Sequence, residues 1–472
     1  MENKEEIEIS VLKGEKLFND NTPFIINISS KDPDINYKRC KTDLICVIDS
    51  SSSMRGSKIH QVKESLKILI DLMEKDDRIA LILFNKKAIL FFDLENLTKN
   101  NKIKLKEKID TIETATGTNI LSGLQFAVDI LKNEKENSTS ESRVSSVILL
   151  SDGYDSRYND LQLADSLKKM TKGLELNFTL HTFGYGQNYD AKVMNKLATL
   201  RDGSFYYVEQ YNKVSEYFVC VLGGCKSVMS KKAELKVKLL NNNCKIVKIF
   251  GSKNLYKYDL KDDIFETTML QVISGKEYSY VLEIKIDENN IKVGEELLEV
   301  NFACENNNDI INNNIKYNYE LKSINYMKAN EEYIRSQVYS VIEEVMILKE
   351  NGEKNKAKQK LDEIKIWLQI NYKGNNKDFF IDIDKSYELF KDDDSLVRKS
   401  AKYLSSQLMQ NQSKKQGSNM NYCNKFQMDL MKSISSHPKL QLSKPSINDN
   451  NIDLRKSANL GLALKSIKYN FK

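Results

Sequence analysis

The chain is poor in the residues that carry most transition-metal and acid–base chemistry. Its 472 residues include three histidines, His60, His181 and His437, far apart along the sequence. That spacing gives no histidine-based zinc site and no evident catalytic base. Seven cysteines, an odd number with no C-x-x-C pair, give neither a zinc ribbon nor a disulfide framework, so reduced thiols are expected. No stretch approaches the ~20 apolar residues that a membrane-crossing helix needs. The acidic opening Met1-Glu2-Asn3-Lys4-Glu5-Glu6 lacks an apolar signal core, so the expectation is a cytoplasmic protein. Basic and acidic residues nearly balance, 72 against 66, and no dense arginine–aromatic patch marks a nucleic-acid surface.

What the chain does have is oxygen donors at the ends of apolar runs. Leu44-Ile45-Cys46-Val47-Ile48 is short and β-rich, as suits a strand buried on both faces, and it ends in Asp49-Ser50-Ser51-Ser52-Ser53. Ile59, Val62, Leu66, Leu69 and Met73 then recur at helical spacing. A second such run, Val147-Ile148-Leu149-Leu150, is followed by Ser151-Asp152-Gly153, and Thr118 stands in Thr116-Gly117-Thr118-Asn119 just before another helical pattern. In open parallel sheets ligands sit beyond the carboxyl ends of the strands, which is where both acids fall. Carboxylates and hydroxyls without His or Cys select a hard cation, Mg2+ or Mn2+ rather than Zn2+. Two serines, a threonine and two acids fill five positions of an octahedron, and an outside carboxylate suits the sixth. The competing reading is that Ser53 or Ser57 only caps the helix that starts near Lys58.

Residues 42–228 resemble a von Willebrand factor A (VWA) domain with an intact metal-ion-dependent adhesion site. The resemblance rests on the D-x-S-x-S run, the Thr118 loop, the Asp152-Gly153 pair, the strand Phe178–Phe183 with its Gly184-Tyr185-Gly186 turn, and the closing strand Phe205–Val208. It covers about two-fifths of the chain. It implies a Rossmann-like, doubly wound, mostly parallel α/β sheet, with Asp49, Ser51, Ser53, Thr118 and Asp152 as metal residues. The hydroxyls would coordinate directly and the acids largely through water. Ser52 replaces the family's usual glycine and touches no implied ligand.

Outside that segment the apolar period is two. Ile7, Ile9 and Val11 alternate with polar residues, as do Leu235, Val237 and Leu239, and further short runs continue to Leu321. They predict an antiparallel β-sandwich over 231–323, completed by N-terminal strands within 1–40. Stripes on Ile334–Leu348, Ala357–Leu368 and Val397–Leu408 predict a helical bundle over 326–410. A polar, disordered tail is expected over 411–472, in which Phe426, Met428, Leu430 and Met431 could make a docking segment.

These readings predict a non-enzymatic, Mg2+-dependent module that binds an Asp or Glu of a partner protein. The order of domains also resembles intracellular VWA proteins with a helical extension, some of which act as ubiquitin ligases. The Cys/His spacing of their RING finger is absent here, which leaves an adaptor role as the alternative. A metal-dependent hydrolase is the weaker alternative, since no P-loop and no base accompany the acids. The strand assignment has a direct test. Cys46→Asp would bury an unpaired charge and should unfold the sheet; a melting curve like that of the wild type would refute it.

Overall fold

The computed structural model describes residues 7–435 apart from 33–38, 138–142, 156, 187–188, 211–212, 252–255, 260–262, 307–308, 321–325, 375–376 and 414–422. The chain divides into two compact units, Met1–Met431 and Lys432–Lys472. Two strands come first, β1 (Ile7–Lys13) and β2 (Thr22–Ser30). An alternating α/β segment follows: β3 (Lys41–Asp49), α1 (Ser57–Leu72), β4 (Arg78–Phe84), β5 (Ala88–Asn96), α2 (Lys99–Asp110), α3 (Ile120–Asn137), β6 (Arg143–Ser151), α4 (Asp160–Thr171), β7 (Thr179–Tyr185), α5 (Ala191–Leu200), β8 (Phe205–Val208) and α6 (Val214–Lys226). Then come β9 (Val228–Ser230), β10 (Ala233–Leu239), β11 (Cys244–Ile249), β12 (Tyr256–Asp259), β13 (Ile264–Met269), β14 (Val272–Ile273), β15 (Glu277–Ile286), β16 (Glu296–Asn306) and β17 (Asp309–Asn318). Helices close the chain: α7 (Tyr326–Glu350), α8 (Lys354–Asn371), α9 (Asp378–Tyr387), α10 (Asp394–Ser413) and α11 (Lys425–Ser435).

The α/β segment builds one six-stranded sheet in the order β5-β4-β3-β6-β7-β8. All neighbours are parallel except the β4–β5 hairpin. β3 shows why its sequence is an unbroken apolar run. Leu44, Cys46 and Ile48 join α1 and α6 in one core, while Ile45 and Val47 join α3, α4 and α5 in the other. A strand covered on both faces has no polar side. The chain leaves β3 toward β4 on one flank and later returns to β6 on the other, so the order reverses at β3 and opens a crevice beyond its carboxyl end.

The antiparallel strands form two larger sheets, β1-β2-β15-β11 and β12-β13-β10-β16-β17, and a short β14-β9 pair. Ile7, Phe24, Ile26 and Ile284 of the first share a core with Leu235, Val237, Val300 and Phe302 of the second. The N-terminal strands therefore lie against the segment that follows the α/β unit, some 200 residues away in sequence. α7, α8, α9 and α10 pack around Val338, Ile342, Leu361, Leu368, Ile383 and Leu404. The short α9, with Phe379 and Ile383 inward, is a helix that the sequence reading did not single out. The buried Asp382 carboxylate ties three of these helices, accepting from Tyr339 Oη at 2.6 Å and Tyr403 Oη at 2.8 Å. α10 also covers the edge strand β8, where Met409 enters the second core and its sulphur accepts from the Phe205 amide at 3.0 Å.

Inside the segment expected as a polar tail, residues 425–435 form α11, while 436–472 lie outside the described residues. α11 contains Phe426, Met428, Leu430 and Met431, the residues expected as a docking segment, and polar groups also hold it in place. The amide of Asn424 donates to Gln427 Oε1 at 3.0 Å and Asn424 Oδ1 accepts from the Gln427 amide at 2.9 Å, a reciprocal cap. Gln427 Nε2 then donates to the Cys220 carbonyl on α6 at 2.8 Å. The Cys220 and Cys423 sulphurs stand 3.2 Å apart as free thiols. Contact requires glycine on α6, because a Cβ at Gly223 would sit 2.8 Å from Gln427 Cγ and 3.1 Å from Gln427 Cα. Gly223→Val should undock α11, raising amide exchange over 425–435 at least about tenfold while β3 stays protected. Unchanged exchange there would show that α11 does not rest on α6.

Candidate functional site

Three loops meet beyond the carboxyl ends of β3 and β6. The β3–β6 register sets Ile48 beside Leu150, so Asp49 faces Ser151 across the crevice. Ser151 Oγ donates to Asp49 Oδ2 at 2.6 Å and the Ser51 amide donates to Oδ1 at 2.7 Å. Ser51 Oγ lies 2.8 Å from Ser53 Oγ, and Ser53 Oγ donates to Asp152 Oδ1 at 2.6 Å. This last bond joins positions 99 residues apart. Both carboxylates are fully buried.

Thr118 reaches the same place by a different route. Ser51 bridges to Ala115, and the Ala115 amide donates to the Ser50 carbonyl at 2.8 Å. The loop turns at Gly117, whose φ of 92° is one that L side chains avoid and whose missing Cβ would lie 3.0 Å from Lys86 Cα. Asn119 then caps α3, accepting from the Ser122 amide at 3.0 Å, while buried Asp155 accepts from the Ile120 amide at 2.9 Å. Thr118 Oγ1 lies 3.4 Å and Ser53 Oγ 3.8 Å from where a Cβ of Gly153 would be. Among the described residues that threonine hydroxyl makes no hydrogen bond. All five candidate residues, Asp49, Ser51, Ser53, Thr118 and Asp152, thus line one rim.

The helix-capping alternative fails. Gly56 occupies the cap position of α1, no side chain caps it, and Ser53 is turned to Asp152 instead. Sequence reasoning also passed over two residues. Ser151 is visible as a partner of Asp49 only once strand register is known. Lys58, in the first turn of α1, brings its ammonium onto Asp152 Oδ2, with a side chain 19% exposed against 0% for the acid.

Burial pushes the Asp49 carboxyl up to about 6; the Ser151 and Ser51 hydrogen bonds oppose the shift and the Asp152 charge adds to it. With its folded value raised, Asp49 keeps a proton that the unfolded chain releases. Its contribution to stability is therefore full below about pH 4 and lost as pH rises through about 6. A cation placed among these oxygens would reverse that cost. Among the described residues no three His, Cys, Asp or Glu side chains gather to hold a metal. The donors here are two carboxylates and three hydroxyls, a hard-oxygen set that fits Mg2+ and suits soft metals poorly.

A doubly wound α/β module with an oxygen-lined rim at its switch point defines a class, and the comparisons place it in a family. Residues 43–218 match the model of the von Willebrand factor type A domain, and this part of the chain is a VWA domain. An uncharacterized protein of Synechocystis sp. is 30% identical over 185 residues, 39% of this chain and 42% of that protein. Mouse inter-alpha-trypsin inhibitor heavy chain H2 is 32% identical over 164 residues, 34% of this chain and 17% of that one. The chain thus spans less than half the length of these relatives. A von Willebrand factor type A structure from Catenulispora acidiphila superposes with a TM-score of 0.66 at 13% identity, covering 87% of this chain and 98% of its own. The ArnB paralog VWA2 from Sulfolobus acidocaldarius gives 0.54 at 15%, covering 86% and 98%. At these identities the likeness concerns the fold. VWA domains typically mediate protein–protein interaction and are generally not enzymes. Among the described residues no helix is long and apolar enough to cross a membrane.

The Lys58–Asp152 pair yields a test in metal-free conditions. Removing one partner of a largely buried pair leaves its carboxylate uncompensated, so Lys58→Met in EDTA should lose about 3 kcal/mol in urea unfolding. An unchanged midpoint would mean that the ammonium does not hold the acids in place.

Proposed function

We propose that the chain is a Mg2+-dependent protein-binding module that captures an Asp or Glu side chain of a partner. The observation that carries this reading is the joining of Ser53 to Asp152 at 2.6 Å, which brings the first and third loops into one oxygen cluster with Thr118 beside it. Asp49, Ser51, Ser53, Thr118 and Asp152 would hold the ion, with Mn2+ an acceptable substitute. The bound ion supplies a Lewis-acid position for an anionic oxygen. The chain's own residues do the rest. Ser151 and the Ser51 amide orient Asp49, and the neutral hydroxyls leave the ion incompletely neutralised, so that it still attracts an incoming carboxylate. Among the described residues the side chains bonded to these oxygens are serines and Lys58, with no histidine or cysteine, which favours binding over hydrolysis.

Metal uptake can be read without knowing the partner. Ligand that binds only the folded state stabilises it, by about 2.7 kcal/mol at a hundredfold excess over its dissociation constant. Millimolar Mg2+ should therefore raise the melting temperature of the wild type and leave Asp49→Ala, which stays folded, unmoved. In a pull-down, partner capture should disappear in EDTA and in the same variant. A wild-type melting temperature indifferent to Mg2+ and Mn2+ would end the proposal.

A further inference from the structure

The charges at the two ends of the VWA sheet are organised differently. At the amino ends of the strands, arginines are matched to acids within the chain. Arg39 meets Glu74 and Asp77, Arg78 meets Asp43 and Glu134, and Arg143 meets Asp43. At the carboxyl ends, around the oxygen cluster, the pattern is different. Arg55, Lys86 and Lys87 are exposed, and none has a carboxylate partner among the described residues. Two of the three are fixed to the site by backbone. The Arg55 amide donates to the Ser52 carbonyl at 3.2 Å, inside the D-x-S-x-S turn, and the Lys86 amide donates to the Thr116 carbonyl at 3.3 Å.

The other charges of these loops are already used. Lys58 is on Asp152 and Arg157 is on Asp155 at 3.1 Å, while Arg157 also donates to the Thr118 carbonyl at 2.5 Å. Asp49, Asp152 and Asp155 are buried, which leaves Glu113 as the exposed acid of the three loops and the β4–β5 turn. Counting Arg55, Lys58, Lys86, Lys87 and Arg157 against Asp49, Glu113, Asp152 and Asp155, the rim carries one excess positive charge. A divalent ion raises the excess to three. One partner carboxylate on the ion would leave two positive charges facing solvent, an attraction that salt screens over ~8 Å at physiological strength.

We infer that the rim selects a clustered acidic segment, an Asp or Glu on the ion flanked by further acids that face Arg55, Lys86 and Lys87. This rests on the metal-dependent reading above and adds the sequence class of the partner. Complementary rim charge also speeds encounter and rejects basic partners. Tyr154, exposed two residues beyond Asp152, adds an aromatic side chain to the third loop.

The test uses the full chain and three fluorescent peptides of equal length. One has a single Asp in a Gly/Ser/Asn background, one has that Asp between two Glu, and one keeps the two Glu with Asn at the centre. Binding is measured by anisotropy in Mg2+ and in EDTA, over a KCl series, for the wild type, Asp49→Ala and the Arg55→Ser/Lys86→Ser/Lys87→Ser variant. In Mg2+ at physiological salt the clustered peptide should bind about tenfold more tightly than the single-Asp peptide. That ratio should shrink to about twofold in the triple variant and should fall as KCl rises. Equal affinity for the two Asp peptides, or a preference untouched by the triple substitution and by salt, overturns the inference while metal-dependent capture stands. A preference for clustered acids that ignores EDTA, Asp49→Ala and the central Asn sinks the metal reading, and with it the proposed role of the rim around an ion. No binding by any peptide overturns both.

Discussion

Two carboxylates with no exposure to solvent, Asp49 and Asp152, end adjacent strands of the central sheet, and their charge has to be compensated where they stand. In the chain alone the compensation is divided among serine hydroxyls, one backbone amide and the Lys58 ammonium. Burial still leaves the Asp49 carboxyl up at about 6, so the protein's own groups compensate it incompletely. A divalent cation is the natural completion. The folded scaffold holds the acids at a position where water cannot solvate them freely, and the proposed metal binding rests on that.

The scaffold gains this hold because β3 and β6 are covered on both faces. Alternate residues of β3 feed two separate cores, one closed by α1 and α6 and the other by α3, α4 and α5. Any shift of β3 would disturb both. The rim hydroxyls therefore rest on rigid strand ends, while the Gly117 turn lets the Thr118 loop pass close to Lys86. Preorganisation of this kind is what a weakly chelating, hydroxyl-rich site requires.

The remaining modules surround the domain. β2 pairs with β15 and thereby joins the N-terminal strands to a sheet that follows the VWA segment, α10 covers the β8 edge, and α11 lies on α6 through Gln427. The likeness to the Catenulispora and Sulfolobus structures extends over more than four-fifths of the chain, so this arrangement belongs to a shared fold and is wider than the matched domain. The carboxyl edge of the sheet carries Arg55, Lys86 and Lys87, exposed and with no carboxylate partner among the described residues.

By itself the sequence determined the parts governed by period and by residue type. Apolar runs without alternation marked β3 and β6 as doubly covered, alternation marked the strands that pack on one face, and acids and hydroxyls at the strand ends marked the rim. What sequence could not give was anything that depends on which strands become neighbours. Ser151 serves Asp49 only because the β3–β6 register aligns them, and Lys58 reaches Asp152 only because α1 starts beside β6's end. Gly56 took the capping position that Ser53 might have filled, which released the serine to the site. The apolar residues of α11, Phe426, Met428, Leu430 and Met431, were legible as a docking segment, but the Asn424 and Gln427 hydrogen bonds that fix its place were not. Period and composition act within a few residues of chain; pairing of buried charges and polar side chains acts across about a hundred or more, and only the tertiary structure decided it.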